Sequence, residues 1–297
     1  MPSEHCPLNT LFLCGPTASG KSSAALALAR ACDGEIVNAD AFQLYRGLAT
    51  LTAAPSEEER TVVPHHLYGV IDPAHSLDAA SFRNLALPVL SEIEARGKRP
   101  LVVGGSGLYL KFLTHGPNDL PTADPKLRAE LEALSLDELN RRLEELDPVE
   151  AARIDRQNPR YVQRALEVCL LTGRPVSEQR DSFEIDTSHL RGVVLSWEPA
   201  PLEERIRRRA KAMLESGAIE EVAALPNLGA TAAKAIGVPE IRSYLAGASD
   251  RESCEEQIVI ATRQYAKRQR TWFRRERWLT PVAGDSAPAT LLEAAQI

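Results

Sequence analysis

Short apolar runs alternate with helical repeats along the first hundred residues. Thr10–Cys14 (TLFLC) is a run too short for a helix, which predicts a buried strand. A Gly-rich turn follows, and then Ser22–Ala31 with apolar positions at helical spacing. Glu35–Asn38 (EIVN) predicts a second strand, which delivers Asp40. Asp78–Arg96 has the period of an amphipathic helix, with Ser76 as a candidate cap and Gly97 as its stop. Pro100–Val103 (PLVV) predicts a third strand, closed by Gly104-Gly105-Ser106-Gly107. Strands that alternate with helices imply a parallel sheet with helices on its faces.

The pattern changes near Asp119. From there to Glu184 the period is helical throughout, over Pro125–Leu134, Leu136–Glu145, Pro148–Ile154 and Pro159–Leu171. Gly192–Ser196 (GVVLS) predicts a strand that returns to the sheet. Helices follow over Pro201–Ser216, Glu220–Leu225 and Cys254–Arg275, with a Gly/Pro-broken stretch before the last. The Ala-rich tail after Pro281 is expected to be weakly ordered. The chain therefore divides into a core α/β domain over 1–118, an all-helical insertion domain over 119–187, and the rest of the core over 188–297.

Composition narrows the class. The 297 residues are 44% hydrophobic and 26% charged, as in ordinary globular proteins. Apolar runs fall short of the ~20 residues of a membrane span, and the polar start MPSEHCPLNT lacks the pattern of a signal peptide. Cys6, Cys14, Cys32, Cys169 and Cys254 are scattered, which suits reduced thiols in a cytoplasmic protein and neither a disulfide framework nor a zinc site.

The chemistry starts at residues 15–22. Gly15-Pro16-Thr17-Ala18-Ser19-Gly20-Lys21-Ser22 fits the phosphate-loop pattern, between a strand and a helix as that pattern requires. Its amides wrap a phosphate, Lys21 adds a point charge, and Ser22 can hold Mg²⁺. The motif specifies phosphate and leaves ATP open. The fold class follows: α/β, a P-loop NTPase-like parallel sheet flanked by helices, with an all-helical insertion. Asp40 lies at the carboxyl edge of that sheet, as a metal helper or a general base. On these features alone the chain could be a P-loop kinase of a small metabolite.

Further motifs narrow that choice. GPTASGKS at 15–22 is followed by Asp40 with QLYRG at 43–47, then HHL at 65–67 ahead of Asp72-Pro73. VGGSGLY at 103–109, Asp147-Pro148, RALEV at 164–168 and TRQYAKRQRTWFR at 262–274 complete the series. In this order, over about Thr10 to Trp278, they resemble the tRNA dimethylallyltransferases (tRNA isopentenyltransferases).

The resemblance implies transfer of a dimethylallyl group from dimethylallyl diphosphate to N6 of the adenosine at tRNA position 37, beside the anticodon, with release of diphosphate. It implies Mg²⁺ on Ser22 and a cytoplasmic enzyme acting as a monomer, with no membrane partner. Asp40, Ser106 and Arg209 would be catalytic. Gly15 to Ser22 and Arg205 would bind the diphosphate. The tRNA anticodon stem-loop would meet Asp40, Ala41, Phe42, Gln43, Ser106, Arg128, Arg160, Arg164, Lys267, Arg268, Gln269, Arg270 and Arg274. A relative that binds RNA after losing its catalytic function is the alternative outside enzymes. The chain departs from the family's usual residues at Ala41, Ala54, Tyr161, Val238 and Pro239.

Charge fits an RNA partner once it is read locally. The formal net charge is −6, yet residues 263–277 hold seven Lys or Arg against Glu276 alone. An acidic body thus carries a strongly basic helix with Trp272 in it, a combination suited to a phosphate backbone. His65 and His66 lack a partner cluster and are expected to be structural. Glu57–Glu59 reads as a solvated helix face, and Tyr109 as core.

Overall fold

In the computed structural model, residues 6–116, 120–121, 124–179 and 186–297 are described. The first half of the core runs β1 (Leu11–Cys14), α1 (Lys21–Ala31), β2 (Gly34–Asn38), α2 (Ala49–Thr52), α3 (Glu57–Val62), β3 (His65–His66), α4 (Ala79–Ala95), β4 (Arg99–Gly104) and α5 (Gly107–His115). Helices α6 (Pro125–Glu132), α7 (Leu136–Leu146), α8 (Pro148–Arg153), α9 (Pro159–Thr172) and α10 (Val176–Gln179) come next. The core resumes with β5 (Arg191–Ser196), α11 (Pro199–Glu215), α12 (Ala218–Ala223), α13 (Val238–Leu245), α14 (Arg251–Phe273), β6 (Leu279–Ala283) and α15 (Pro288–Ala294).

The six strands form one parallel sheet in the order β3-β2-β4-β1-β5-β6. Strand β1 pairs with β4 on one side and β5 on the other, Cys14 lying opposite Gly104 and Val194. All four of its side chains are buried, as a central parallel strand covered on both faces requires. Alternation assigns each to a face. Phe12 and Cys14 pack with α4 and α5 through Phe82, Leu90 and Leu110. Leu11 and Leu13 pack with α1 through Ala25 and Leu28. Each such buried Leu or Phe stabilises the fold by roughly 1.5–3 kcal/mol relative to exposure. After β1 the chain builds one side of the sheet, and after β4 it crosses to the other. The carboxyl end of β1 therefore opens into the switch-point crevice where ligands of open α/β sheets bind.

The chain separates into two compact units, residues 1–116 with 187–297, and residues 117–186. The boundary expected at 118–119 lies outside the described residues. In the second unit, Leu139, Leu143, Val162 and Leu166 of α7 and α9 make an apolar core. Caps set its helix starts: Asp124, Ser135, Asp147 and Asn158 each accept from a backbone N–H of the following turn.

The tail corrects one expectation. Leu279–Ala283 pairs with β5 as the sheet's edge strand, and α15 docks beside α1 through buried Leu291 and Ala295. The Ala-rich spelling conceals one apolar stripe that α1 needs covered. His65 and His66 form β3 itself. His66 Nε2 lies 2.7 Å from Glu35 Oε2, which also accepts from Arg96 at 2.8 Å, and His65 Nδ1 is 2.7 Å from the Val63 carbonyl. Tyr109 is 5% exposed and stacks on Phe82.

Candidate active site

The phosphate loop leaves β1 and enters α1 through Gly20, whose φ of 92° lies in the left-handed region that favours glycine. Lys21, the first residue of α1, folds back over its own loop. Its ammonium donates to the Gly15 carbonyl at 2.9 Å and the Pro16 carbonyl at 2.7 Å. Burial pushes its pKa down to about 8, with the Asp40 carboxylate opposing that shift and the Arg209 guanidinium adding to it. An arriving anion would oppose that shift.

Two arginines of α11 close the loop from the other side. Arg205 Nε donates to the Ala18 carbonyl at 2.7 Å, and its guanidinium lies 4.6 Å over the Trp197 ring. Trp197 in turn donates from Nε1 to the Ser19 carbonyl. One turn later Arg209 donates to Thr17 Oγ1 at 2.7 Å and to the Thr52 carbonyl at 3.0 Å. Burial lowers its pKa, and the Asp40 charge works against that shift. Arg209 therefore points into the site from an otherwise very basic helix.

Asp40 follows β2, and Asn38 fixes its backbone. The fully buried Asn38 side chain accepts from Asp40 N–H at 2.8 Å and donates to the Asp40 carbonyl at 3.2 Å. Asp40 Oδ1 accepts from Phe42 N–H at 3.0 Å. From the neighbouring strand end, Ser106 Oγ accepts from Ala41 N–H at 2.9 Å. Gln43 donates to the carbonyls of Thr52 and Ala53. The loops after β2 and β4 are thus tied together beside the phosphate loop.

The phosphate loop, Asp40, Gln43 and the two arginines share one cavity of about 500 Å³, lined by residues 17–23, Asp40, Gln43, Thr52, Gly104, Arg205 and Arg209. A smaller recess with an apolar wall of Leu51, Ile206, Met213, Ile236 and Ile258 adjoins it, sharing Thr17, Asp40, Thr52 and Arg209. Tyr265 also lines that recess. Its ring stands 6.4 Å from Phe42, and burial with the Asp40 charge raises its pKa. Asn38, Trp197 and Tyr265 are site residues that motif reading misses. An Asx residue two positions before Asp40 was the available signal for the first.

The expected RNA-facing residues separate into groups. Lys267, Arg268 and Arg274 are exposed and Arg270 half-buried along α14 and its end. None of them enters an ion pair among the described residues. Arg268 lies 5.7 Å over Tyr265. Arg270 and Arg274 line a groove of about 650 Å³ with Trp197 and Phe273. In the other unit Arg160 is exposed, while Arg128 and Arg164 both reach the buried Glu167 carboxylate, at 3.1 and 2.7 Å. Gln269 contradicts its expected place on that surface. It is 4% exposed, because helical phase puts it with Ala266 and Phe273 on the buried stripe of α14.

Comparison with known proteins identifies the family. The IPP transferase family profile matches residues 43–276, and an isopentenyl transferase profile matches residues 8–66. The chain belongs to the IPP transferase family. A tRNA dimethylallyltransferase of Akkermansia muciniphila is 46% identical over 286 residues, 96% of this chain and 97% of that one. One from Bordetella pertussis is 45% identical over 302 residues, 96% of each chain. Among solved structures, the tRNA isopentenylpyrophosphate transferase of Bacillus halodurans matches with a TM-score of 0.71 at 34% identity, over 99% of this chain and 95% of that one. A eukaryotic dimethylallyltransferase acting on tRNA matches with a TM-score of 0.77 at 27% identity, over 96% of this chain and 76% of that one. As an IPP transferase the chain is a prenyltransferase, and the reading as a small-metabolite kinase is set aside.

The departures from the family's usual residues fall in different environments. Ala41 presents only its backbone to Ser106. Ala54 packs against the core beside α1, and Val238 is buried. Pro239 sits in the first turn of α13, a position that tolerates its missing N–H. Tyr161 is exposed on α9. Among the described residues no helix is long and apolar enough to cross a membrane.

Proposed function

We propose that this IPP transferase moves a dimethylallyl group from dimethylallyl diphosphate to N6 of adenosine 37 of tRNA in the cytoplasm, acting as a monomer and releasing diphosphate. One observation carries the reading: a carboxylate, a phosphate loop and a buried guanidinium line the same cavity, beside an apolar recess. The nucleophile is an aromatic amine whose lone pair is delocalised into the ring, so its attack needs a base. Asp40 takes the N6 proton. The bond from C1 of the allyl group to the bridging oxygen breaks as the bond from N6 to that carbon forms. The electron pair stays on the diphosphate. Lys21, Arg205, Arg209 and the loop amides face that charge as it develops. Ser106 Oγ accepts from Ala41 N–H and also hydrogen-bonds the Tyr265 side chain, and its proton is the one that would turn towards the departing oxygen. The wall of Leu51, Ile206, Met213 and Ile258 suits the prenyl chain and excludes water.

The residues also fit Mg²⁺. No cluster of three or more His, Cys, Asp or Glu that could hold a metal occurs among the described residues. The oxygen donors here are the Ser22 hydroxyl and the Asp40 carboxylate, both lining the cavity. A sparse hard-oxygen set suits an ion that keeps several waters and binds mainly through phosphate oxygens. When bound, the ion supplies charge neutralisation on the leaving diphosphate.

The target base must leave the anticodon-loop stack to reach Asp40, a cost of a few kcal/mol met by contacts elsewhere on the RNA. The unpaired cations of α14 are suited to that contact. Replacing Lys267, Arg268 and Arg270 together by Ala is expected to weaken tRNA binding and reduce the slope of log K against log salt by up to about three. Filter binding at several salt concentrations measures this, and an unchanged slope refutes that face. The activity itself is tested by incubating the protein with Mg²⁺, labelled dimethylallyl diphosphate and unmodified tRNA. Label on the RNA supports the reading. RNA binding without transfer would identify the decayed relative instead.

A further inference from the structure

Gln269 lies in the middle of the basic run of α14, yet it faces away from solvent. Its Oε1 accepts from the Thr17 N–H at 2.8 Å, and its Nε2 donates to the Gly105 carbonyl at 3.0 Å. Both ends of one amide are therefore committed, one to the phosphate loop and the other to the residue before Ser106. The fit leaves no slack. A Cβ on Gly105 would stand 2.1 Å from Gln269 Nε2, and one on Gly107 would stand 2.3 Å from Trp272 of the same helix. The loop after β4 is glycine-rich because α14 lies directly on it.

We infer that Gln269 is a positioning residue for the transfer reaction, and that it acts through the phosphate loop and the Ser106 loop with no contact to RNA. This rests on the proposed function. An amide is suited to the place because it offers one donor and one acceptor in a fixed plane. The Thr17 N–H is a main-chain donor of the phosphate loop, and Thr17 also holds Arg209 through its hydroxyl. Gln269 thus fixes in one place the residue that supports the guanidinium, and in the other the loop that carries Ser106. Its neighbours Lys267 and Arg268 are exposed on the same helix and Arg270 is half-buried, so one helix serves the RNA on its outside and the diphosphate on its inside.

The test compares Gln269→Ala and Gln269→Glu with the wild-type protein. Loss of a buried backbone-directed hydrogen bond at each end predicts that Gln269→Ala raises the KM for dimethylallyl diphosphate and lowers kcat, by about tenfold to a hundredfold in kcat/KM. The Kd for tRNA and its salt dependence stay within about twofold. Gln269→Glu keeps the shape and the acceptor but, when ionised, lacks the donor for Gly105. It is expected to lower Tm as well as kcat, because a buried carboxylate then faces the Gly105 carbonyl with no proton between them. If Gln269→Ala fails to fold, Gln269→Glu carries the same kinetic test.

A weakened tRNA Kd with an unchanged KM for dimethylallyl diphosphate would make Gln269 an RNA contact and overturn the inference. Full activity of Gln269→Glu would reduce it to packing and overturn it as well. Failure of the proposed function reads differently, since the wild-type protein would then transfer no label at all.

Discussion

Asp40→Asn lowers the rate of prenyl transfer by roughly a hundredfold to ten-thousandfold, the usual contribution of a positioned general base, and leaves the Kd for tRNA within about threefold of wild type. The expectation comes from the chemistry of the acceptor. An exocyclic adenine amine becomes a competent nucleophile only as its proton is removed, and Asp40 is the carboxylate that lines both the loop cavity and the apolar recess. Its position is over-determined. Asn38 holds its backbone from both sides, and Phe42 N–H holds one carboxylate oxygen. Asn at position 40 can still accept from Phe42, so the turn survives while the base is lost. Single-turnover transfer with saturating tRNA isolates this step from product release. A near-wild-type rate in Asp40→Asn would remove Asp40 from the role of base and leave it as a metal helper.

Arg209→Ala is expected to reduce kcat by roughly a hundredfold to a thousandfold, as when a donor aimed at developing negative charge is removed. The guanidinium is desolvated, and it is anchored to Thr17 Oγ1 and the Thr52 carbonyl. Charge on the leaving diphosphate grows only as the allylic bond breaks, so loss of this donor acts on kcat more than on KM. Arg209→Lys keeps the charge but lacks the planar fork that reaches two acceptors at once, and it should recover only part of the loss. The Thr52 carbonyl remains bonded to Gln43 Nε2 in either variant, so α2 stays in place. Steady-state kinetics in both substrates measure the split. A rise in KM with unchanged kcat would make Arg209 a ground-state contact only.

The route from sequence to site was legible wherever a local pattern coincided with a single physical cause. The apolar run before Gly15 had to be a buried strand, the glycines after it had to be a turn, and their spelling gave the phosphate loop. The strand ends then placed Asp40 and Ser106 on the same sheet edge. Other elements were hidden by competing signals. Strand β6 contains Pro281, which reads as a breaker but is tolerated on an edge strand. Helix α13 starts at Val238-Pro239, where a proline opens a helix and reads equally well as a stop. Strand β3 is two residues long and has no periodicity to detect.

Gln269 shows how a strong compositional signal can mask a periodic one. Seven basic residues between 263 and 277 draw the whole segment towards solvent when it is read by charge. Ala266, Gln269 and Phe273, at helical spacing, are nevertheless the apolar-facing stripe, and the fold buries all three. The same caution applies to Arg128 and Arg164. Both belong to a basic pattern, and both turn out to share one buried carboxylate, Glu167, whose charge has to be compensated within its own unit. Arg160 and Tyr161 stay exposed beside them.

The most direct measurement uses two anticodon stem-loop RNAs, identical except at position 37, where one carries adenosine and the other inosine. Each is incubated with the protein, Mg²⁺ and labelled dimethylallyl diphosphate, then digested to nucleosides and separated. Inosine has an oxygen in place of the N6 amine, so it offers no nucleophile at the position that Asp40 serves. The expected result is label on the adenosine at position 37 of the first RNA and none on the second. Equal labelling of both RNAs, or no labelling of either while both bind, would contradict transfer to N6 by this site.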